Sequence, residues 1–250
     1  MIQYSIMVNI KRLFSITLTA FFIVSAVAAP LAAQDSGGKA STPGDSDLMV
    51  FKDVYGADGL EMRKKILQDI KDAVAHGNTS DDIYAALEYM SMEGLKNKST
   101  QLQGGYTEIR GSVADQLGSM GTAKATEILI QLCGAEKKDE YYVLQRTIKA
   151  LGDIGINEND TTIKAIVWKA RIYNPPVPNP LVDRVIGTAI DALDKIESKS
   201  DGMKNQKDYQ DLQDFLKRVS NGHFSKPVRD RAKQILEDML QRKIQRKQES

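Results

Sequence analysis

Two stretches of the chain repeat one another 34 residues apart. Val113-Ala-Asp-Gln-Leu-Gly-Ser-Met-Gly121 is matched by Thr147-Ile-Lys-Ala-Leu-Gly-Asp-Ile-Gly155, so Leu117, Gly118 and Gly121 align with Leu151, Gly152 and Gly155. Each copy reads as an apolar helix closed by glycine, with a second amphipathic segment behind it. A repeat of this length is one helix pair that cannot bury its apolar face alone and must stack on its neighbours. The expected fold class is therefore all-α, an α-solenoid of about nine helices. Architecture is better determined here than ligand.

The N-terminus has the pattern of a secretory signal. Lys11 and Arg12 supply the positive region, Leu13 to Ala29 carries no charge, and Ala26-Val27-Ala28 matches a small-residue cleavage pattern. Cleavage fits after Ala28 or after Ala33. Left uncut, the run would serve as a membrane anchor at the short edge of a span. We assign residues 1–33 to the signal, 34–50, rich in Gly, Ser, Asp and Pro, to a flexible linker, and 51–250 to the repeat domain.

The full chain has 34 Lys+Arg and 33 Asp+Glu. Removing the signal takes away two basic residues and leaves a near-neutral protein with no general pull on nucleic acid. The short basic run Arg242 to Lys247 reads as a solvated helix end, favourable to the helix dipole. Cys133 is the only cysteine, so no intramolecular disulfide forms. It ends an apolar segment and is expected to act as a small buried hydrophobe.

Helical periodicity runs through the repeat domain. Ile66, Leu67, Ile70 and Val74 share a stripe closed by His76-Gly77, and Thr79 to Asp82 resembles a capping box. Ile83, Leu87 and Met90 follow, then a polar loop holding Gly104-Gly105. Ile109, Val113 and Leu117 mark the next helix, and Thr122 caps its successor. Four of the seven prolines fall in Pro175-Pro176-Val-Pro178-Asn-Pro180, which cannot be helical until Asn179 and Pro180 restart the chain. The recurring apolar slot falls at Ile70, Leu117, Leu151, Leu193 and Leu236, with spacings of 47, 34, 42 and 43.

The pattern Ile109-Arg110-x-x-Val113-Ala114-x-x-Leu117-Gly118-x-x-Gly121 resembles the HEAT-like repeat of the phycobilisome-lyase type, most closely over 106–172. Arg63 and Arg229 repeat the basic position of Arg110. The fourth unit departs from the pattern, with Asp194 and Glu197 in place of the glycines. The resemblance implies a curved stack of helix pairs used mainly as a protein-binding surface. It does not imply lyase chemistry, which would need a reactive cysteine or an acidic cluster.

No catalytic, metal-binding or cofactor motif occurs. His76 and His223 each sit beside a glycine at a helix end. The expected activity is non-catalytic binding of a protein partner in the cell envelope, in the periplasm or outside the cell. The alternatives are an envelope enzyme or its accessory subunit, and a membrane-tethered structural protein. The second helix of each pair would supply the binding face. On it, Lys164, Trp168 and Arg171 share one side by three- and four-residue steps, and Trp and Arg are the types most enriched at interface hot spots. The alternative for Trp168 is packing on the nearby prolines or on a neighbouring repeat, as a lone tryptophan is usually mostly buried. Lys124, Glu127 and Gln131 would continue that face on the preceding unit, and Tyr84 and Glu88 one unit earlier.

Overall fold

The computed structural model describes residues 59–95, 103–138, 140–199 and 203–249. The signal and the linker expected at 1–50 lie outside them. Among the described residues there is no strand, and the chain forms α1 (Leu60–Ala75), α2 (Asp81–Met92), α3 (Gln103–Met120), α4 (Ala123–Ala135) and α5 (Tyr141–Ile154). A short 3-10 turn, Glu158–Asp160, then leads into α6 (Thr161–Ala170), α7 (Pro180–Lys199), α8 (Gln206–Asn221) and α9 (Lys226–Glu249).

Odd-numbered helices pack on one another in sequence order, α1 on α3, α3 on α5, α5 on α7 and α7 on α9. The even-numbered helices do the same, α2 on α4, α4 on α6 and α6 on α8. Between the two rows lies a single apolar core. The predicted Ile70, Leu87, Val113, Leu117, Leu151 and Leu193 are all fully buried in it, with Leu129 and Ile166 beside them. Cys133 is buried with them.

Glycines set the closeness of the odd row. A Cβ at Gly118 would stand 2.9 Å from the Cβ of Ala150, and one at Gly152 would stand 2.6 Å from the Cβ and 2.7 Å from the Cα of Ala192. The repeat glycine is thus a contact point at which one helix touches the next almost backbone to backbone. Gly121 and Gly155, which end these helices, take left-handed φ values of +65° and +76°, where an L side chain is strained.

Where the glycines stop, charge takes over. Asp191, Asp194 and Glu197 of α7 face Arg231, Arg242 and Arg246 of α9, with Arg242 and Arg246 each donating to Glu197 at 2.7 Å. The Glu197 side chain is wholly buried. This corrects the reading of Arg242 to Lys247 as a solvated end: Arg242 and Arg246 hold the last helix onto the one before it.

A second set of cations caps the even helices, whose final carbonyls have no partner inside the helix. Arg110 donates to the Glu93 carbonyl at 3.1 Å at the end of α2. Lys169 donates to the carbonyls of Glu136 (2.6 Å) and Gly134 (3.2 Å) at the end of α4. Arg218 donates to the carbonyls of Arg171 (2.8 Å) and Ala170 (3.4 Å) at the end of α6. Two carboxylates join the pattern: Glu93 accepts from Arg63 at 2.7 Å, and the buried Glu136 accepts from Arg110 at 2.8 Å.

Three local expectations need adjustment. Gly104-Gly105 is inside α3 and is no loop; a Cβ at Gly105 would lie 2.5 Å from Leu60, so glycine there admits the start of α1. The capping box at Thr79 to Asp82 does not form, because Ser80 makes no side-chain cap and its own N–H donates to Asn78 at 3.1 Å. Leu236 is only half-buried in the slot where Leu117, Leu151 and Leu193 are fully buried; among the described residues its helix α9 packs on α7 and α8. Thr122 does cap α4 by accepting from the Ala125 N–H at 3.1 Å. Asn179 caps α7 likewise, through the Leu181 N–H at 2.9 Å.

Candidate protein-binding face on the even-numbered helices

Packing of the even helices at the spacing of side chains leaves a groove between each adjacent pair. The α2–α4 groove has a volume of about 710 Å³ and is lined by Glu88, Tyr89, Met92, Ile130 and Gln131 among others. The α4–α6 groove, about 450 Å³, shares Ile130 and Gln131 with it and adds Glu127, Glu158 and Asn159. The α6–α8 groove, about 410 Å³, is walled by Ile163, Lys164, Val167, Trp168 and Arg171 from α6, and by Asn205, Lys207, Asp208 and Asp211 from the start of α8. Six of the eight residues expected from sequence, Glu88, Glu127, Gln131, Lys164, Trp168 and Arg171, therefore line three consecutive grooves.

Trp168 is 59% exposed, the second most exposed of the large hydrophobic residues described. The stripe Ile163, Ile166, Val167 and Ala170 turns inward and the helical period puts the indole on the opposite side. Lys169 is its neighbour, 5.6 Å from the ring centroid, but that ammonium is buried and committed to the end of α4. Burial pushes Lys169 below the usual lysine range.

The other expected residues differ in how free they are. Lys164 pairs with Asp208 at 2.9 Å and Arg171 with Asp211 at 3.1 Å, so both cations are bridged to α8. Lys124 is exposed but pairs with Asp81 at 2.6 Å and stands 5.0 Å over the Tyr84 ring. Tyr84 is the correction. It is buried, and its hydroxyl shares a 2.8 Å hydrogen bond with that of Thr122, so it joins α2 to the cap of α4 and does not extend the surface. Its position in the four-residue step from Glu88 is real, but the chain turns it inward.

Sequence reasoning did not find Asp208, Asp211 or Glu158. The first two were legible in principle, since acids three residues apart on one helix complement bases seven apart on another. Which two helices face each other was not legible. Glu158 lies in a 3-10 turn containing Asn159 and Asp160 at φ +51° and +61°, which no amphipathic period announces.

A groove on the odd row provides a comparison. It has about 760 Å³ between α3 and α5, and it is lined by Tyr142, Arg146, Lys149 and Asp153 among others. Its charges are spent internally: Arg146 pairs with Asp115 and lies 4.6 Å over the Tyr142 ring, and Asp153 pairs with Lys149 and Lys195, each at 2.7 Å.

Burial pushes the Cys133 thiol up to about 12, so the thiolate is inaccessible at neutral pH. His76 places Nδ1 2.6 Å from the Asp72 carbonyl at the end of α1. Among the described residues no group of three or more His, Cys, Asp or Glu side chains is placed to hold a metal ion, and no helix is long and apolar enough to cross a membrane. No family model, no curated protein and no solved structure matches this chain.

Proposed function

We propose that the chain is an exported, non-catalytic scaffold whose HEAT-like helix pairs stack as an α-solenoid, with a protein partner of the cell envelope docked on the even-helix face. The single observation that carries the binding reading is the exposed indole of Trp168 in a groove already formed by α6 and α8. A large, stiff aromatic held on a helix loses little freedom on binding, and a preformed groove adds no ordering cost. Support for the stack comes from the two rows of alternate helices and from the 34-residue repeat. Export rests on the charged, then uncharged, then small-residue order of the first 33 residues.

The test is crosslinked capture from an envelope fraction. The native chain is compared with a Trp168→Ala, Arg171→Ala double variant whose helical content is checked by circular dichroism. Loss of one crosslinked species, with contacts mapping to α4, α6 and α8, is the expected result. Equal capture by a folded double variant removes the face from consideration.

A further inference from the structure

Charge on the even-helix face is unevenly spent. Three of its cations are occupied: Lys124 by Asp81, Lys164 by Asp208 and Arg171 by Asp211. Among the described residues, three of its exposed carboxylates, Glu88, Glu127 and Glu158, make no ion pair. Glu93, at the edge of the first groove, is already held by Arg63. The two grooves they line share Ile130 and Gln131 of α4 as a common wall, and the second is bounded by Thr161 and Thr162, next in sequence to Ile163 and Lys164 of the third. Among the described residues, one cation of the third groove, Lys207, is left without an ion pair. Three unpaired negative charges thus precede an exposed indole along one line of grooves.

We infer that this face takes an extended, basic peptide segment, with lysines or arginines over the α2–α4 and α4–α6 grooves and an apolar residue against Trp168. The inference rests on the docking reading above and adds the chemistry of the occupant. Complementarity of charge is the argument. A basic segment gains three new pairings, breaks none and meets one unpaired cation, Lys207, whereas an acidic one gains Lys207 alone, meets unpaired carboxylates in two grooves and could reach Lys164 or Arg171 only by displacing Asp208 or Asp211. The apolar floor, Met92, Ile130, Ile156, Ile163 and Val167, gives the stems of lysine side chains something to lie on.

Trp168 is the sole tryptophan, so its emission reports on this face alone. The probe is an unstructured peptide with lysines on both sides of a central leucine, compared with a counterpart carrying glutamate at each lysine. Binding is followed by acrylamide quenching of Trp168 and by anisotropy of a label on the peptide. The basic peptide should shield the indole at low salt. A Glu88→Gln, Glu127→Gln, Glu158→Gln triple variant should raise its Kd about eightfold, roughly a factor of two per exposed charge, and added salt should erase most of the difference. All three positions are exposed, so the variant keeps its fold.

Shielding by the glutamate peptide instead would keep the docking face and overturn the basic occupant. Shielding by anionic lipid vesicles in place of either peptide would overturn it in favour of a membrane surface. Failure of both peptides to protect Trp168 would overturn the inference, and the capture comparison would then judge the face separately. An unchanged Kd in the triple variant would overturn it as well.

Discussion

Replacing glycine by alanine at two helical positions separates the role of close approach from that of helix propensity. At Gly187, within α7, an added Cβ meets nothing nearer than 3.9 Å, from Val228. There Gly187→Ala should stabilise the fold by about 0.5–1 kcal/mol, the propensity difference between the two residues. At Gly152 the same Cβ would stand 2.7 Å from the Ala192 Cα, a backbone atom that cannot rotate away. Separating α5 from α7 there should cost ~2–3 kcal/mol of overpacking, less the same propensity gain, for a net loss of about 1–2 kcal/mol. Gly118→Ala should fall between them, because its nearest neighbour is the Ala150 Cβ at 2.9 Å with the Cα at 3.3 Å. Urea unfolding followed by far-UV circular dichroism measures all three against the native chain. Finding Gly152→Ala as stable as Gly187→Ala would refute the backbone-to-backbone contact and, with it, the reason for the repeated glycine.

Glu197→Ala should destabilise by about 2 kcal/mol, because it removes the buried carboxylate that Arg242 and Arg246 both meet, though Asp194 still holds Arg242 at 2.9 Å and the partial exposure of both arginines softens the loss; if melting is unchanged, Glu197 does not help to hold α9. Burial raises the Glu136 carboxyl above its ordinary value despite the hydrogen bonds from Arg110 that favour the ionised form. A raised folded-state pKa means a contribution present below the unfolded value and lost as pH climbs through the folded one. Stability measured upward from the ordinary carboxyl pKa of 4.5 should therefore fall more steeply in the native chain than in Glu136→Gln, and parallel profiles would contradict this. Cys133 should not react with a thiol reagent under native conditions and should react fully in denaturant; rapid native labelling would place it outside the core.

Much of the helix content was legible because it depends on local matters. Apolar residues at steps of three and four marked the stripes from Ile66 to Leu117, the recurring slot carried the pattern on to Leu236, and Thr122 and Asn179 announced two helix starts. Period put Trp168 on the side opposite Ile163, Ile166, Val167 and Ala170 but left open whether the indole packs on the nearby prolines or a neighbouring unit, and only the tertiary structure shows it exposed. The failures were at places where the partner lies far away in sequence. Tyr84 has the period of a surface residue but meets Thr122, 38 residues on. Gly105 looks like a loop signal until Leu60 is seen against it.

Electrostatics shows the same division. A count of acids and bases said that the chain is nearly neutral, and nothing in it could say that Arg246 meets Glu197, 49 residues earlier, or that Lys164 meets Asp208. The amino-acid order determined that these segments are helices, where several of them begin or end, and most of the apolar side of each, because the backbone and its nearest neighbours decide those things over a few residues. The tertiary structure decided which helices touch, and therefore which charges cancel and which three carboxylates stay unpaired in the grooves. That follows from Coulomb's law and packing acting on distance in space, and chain position is a poor guide to that distance.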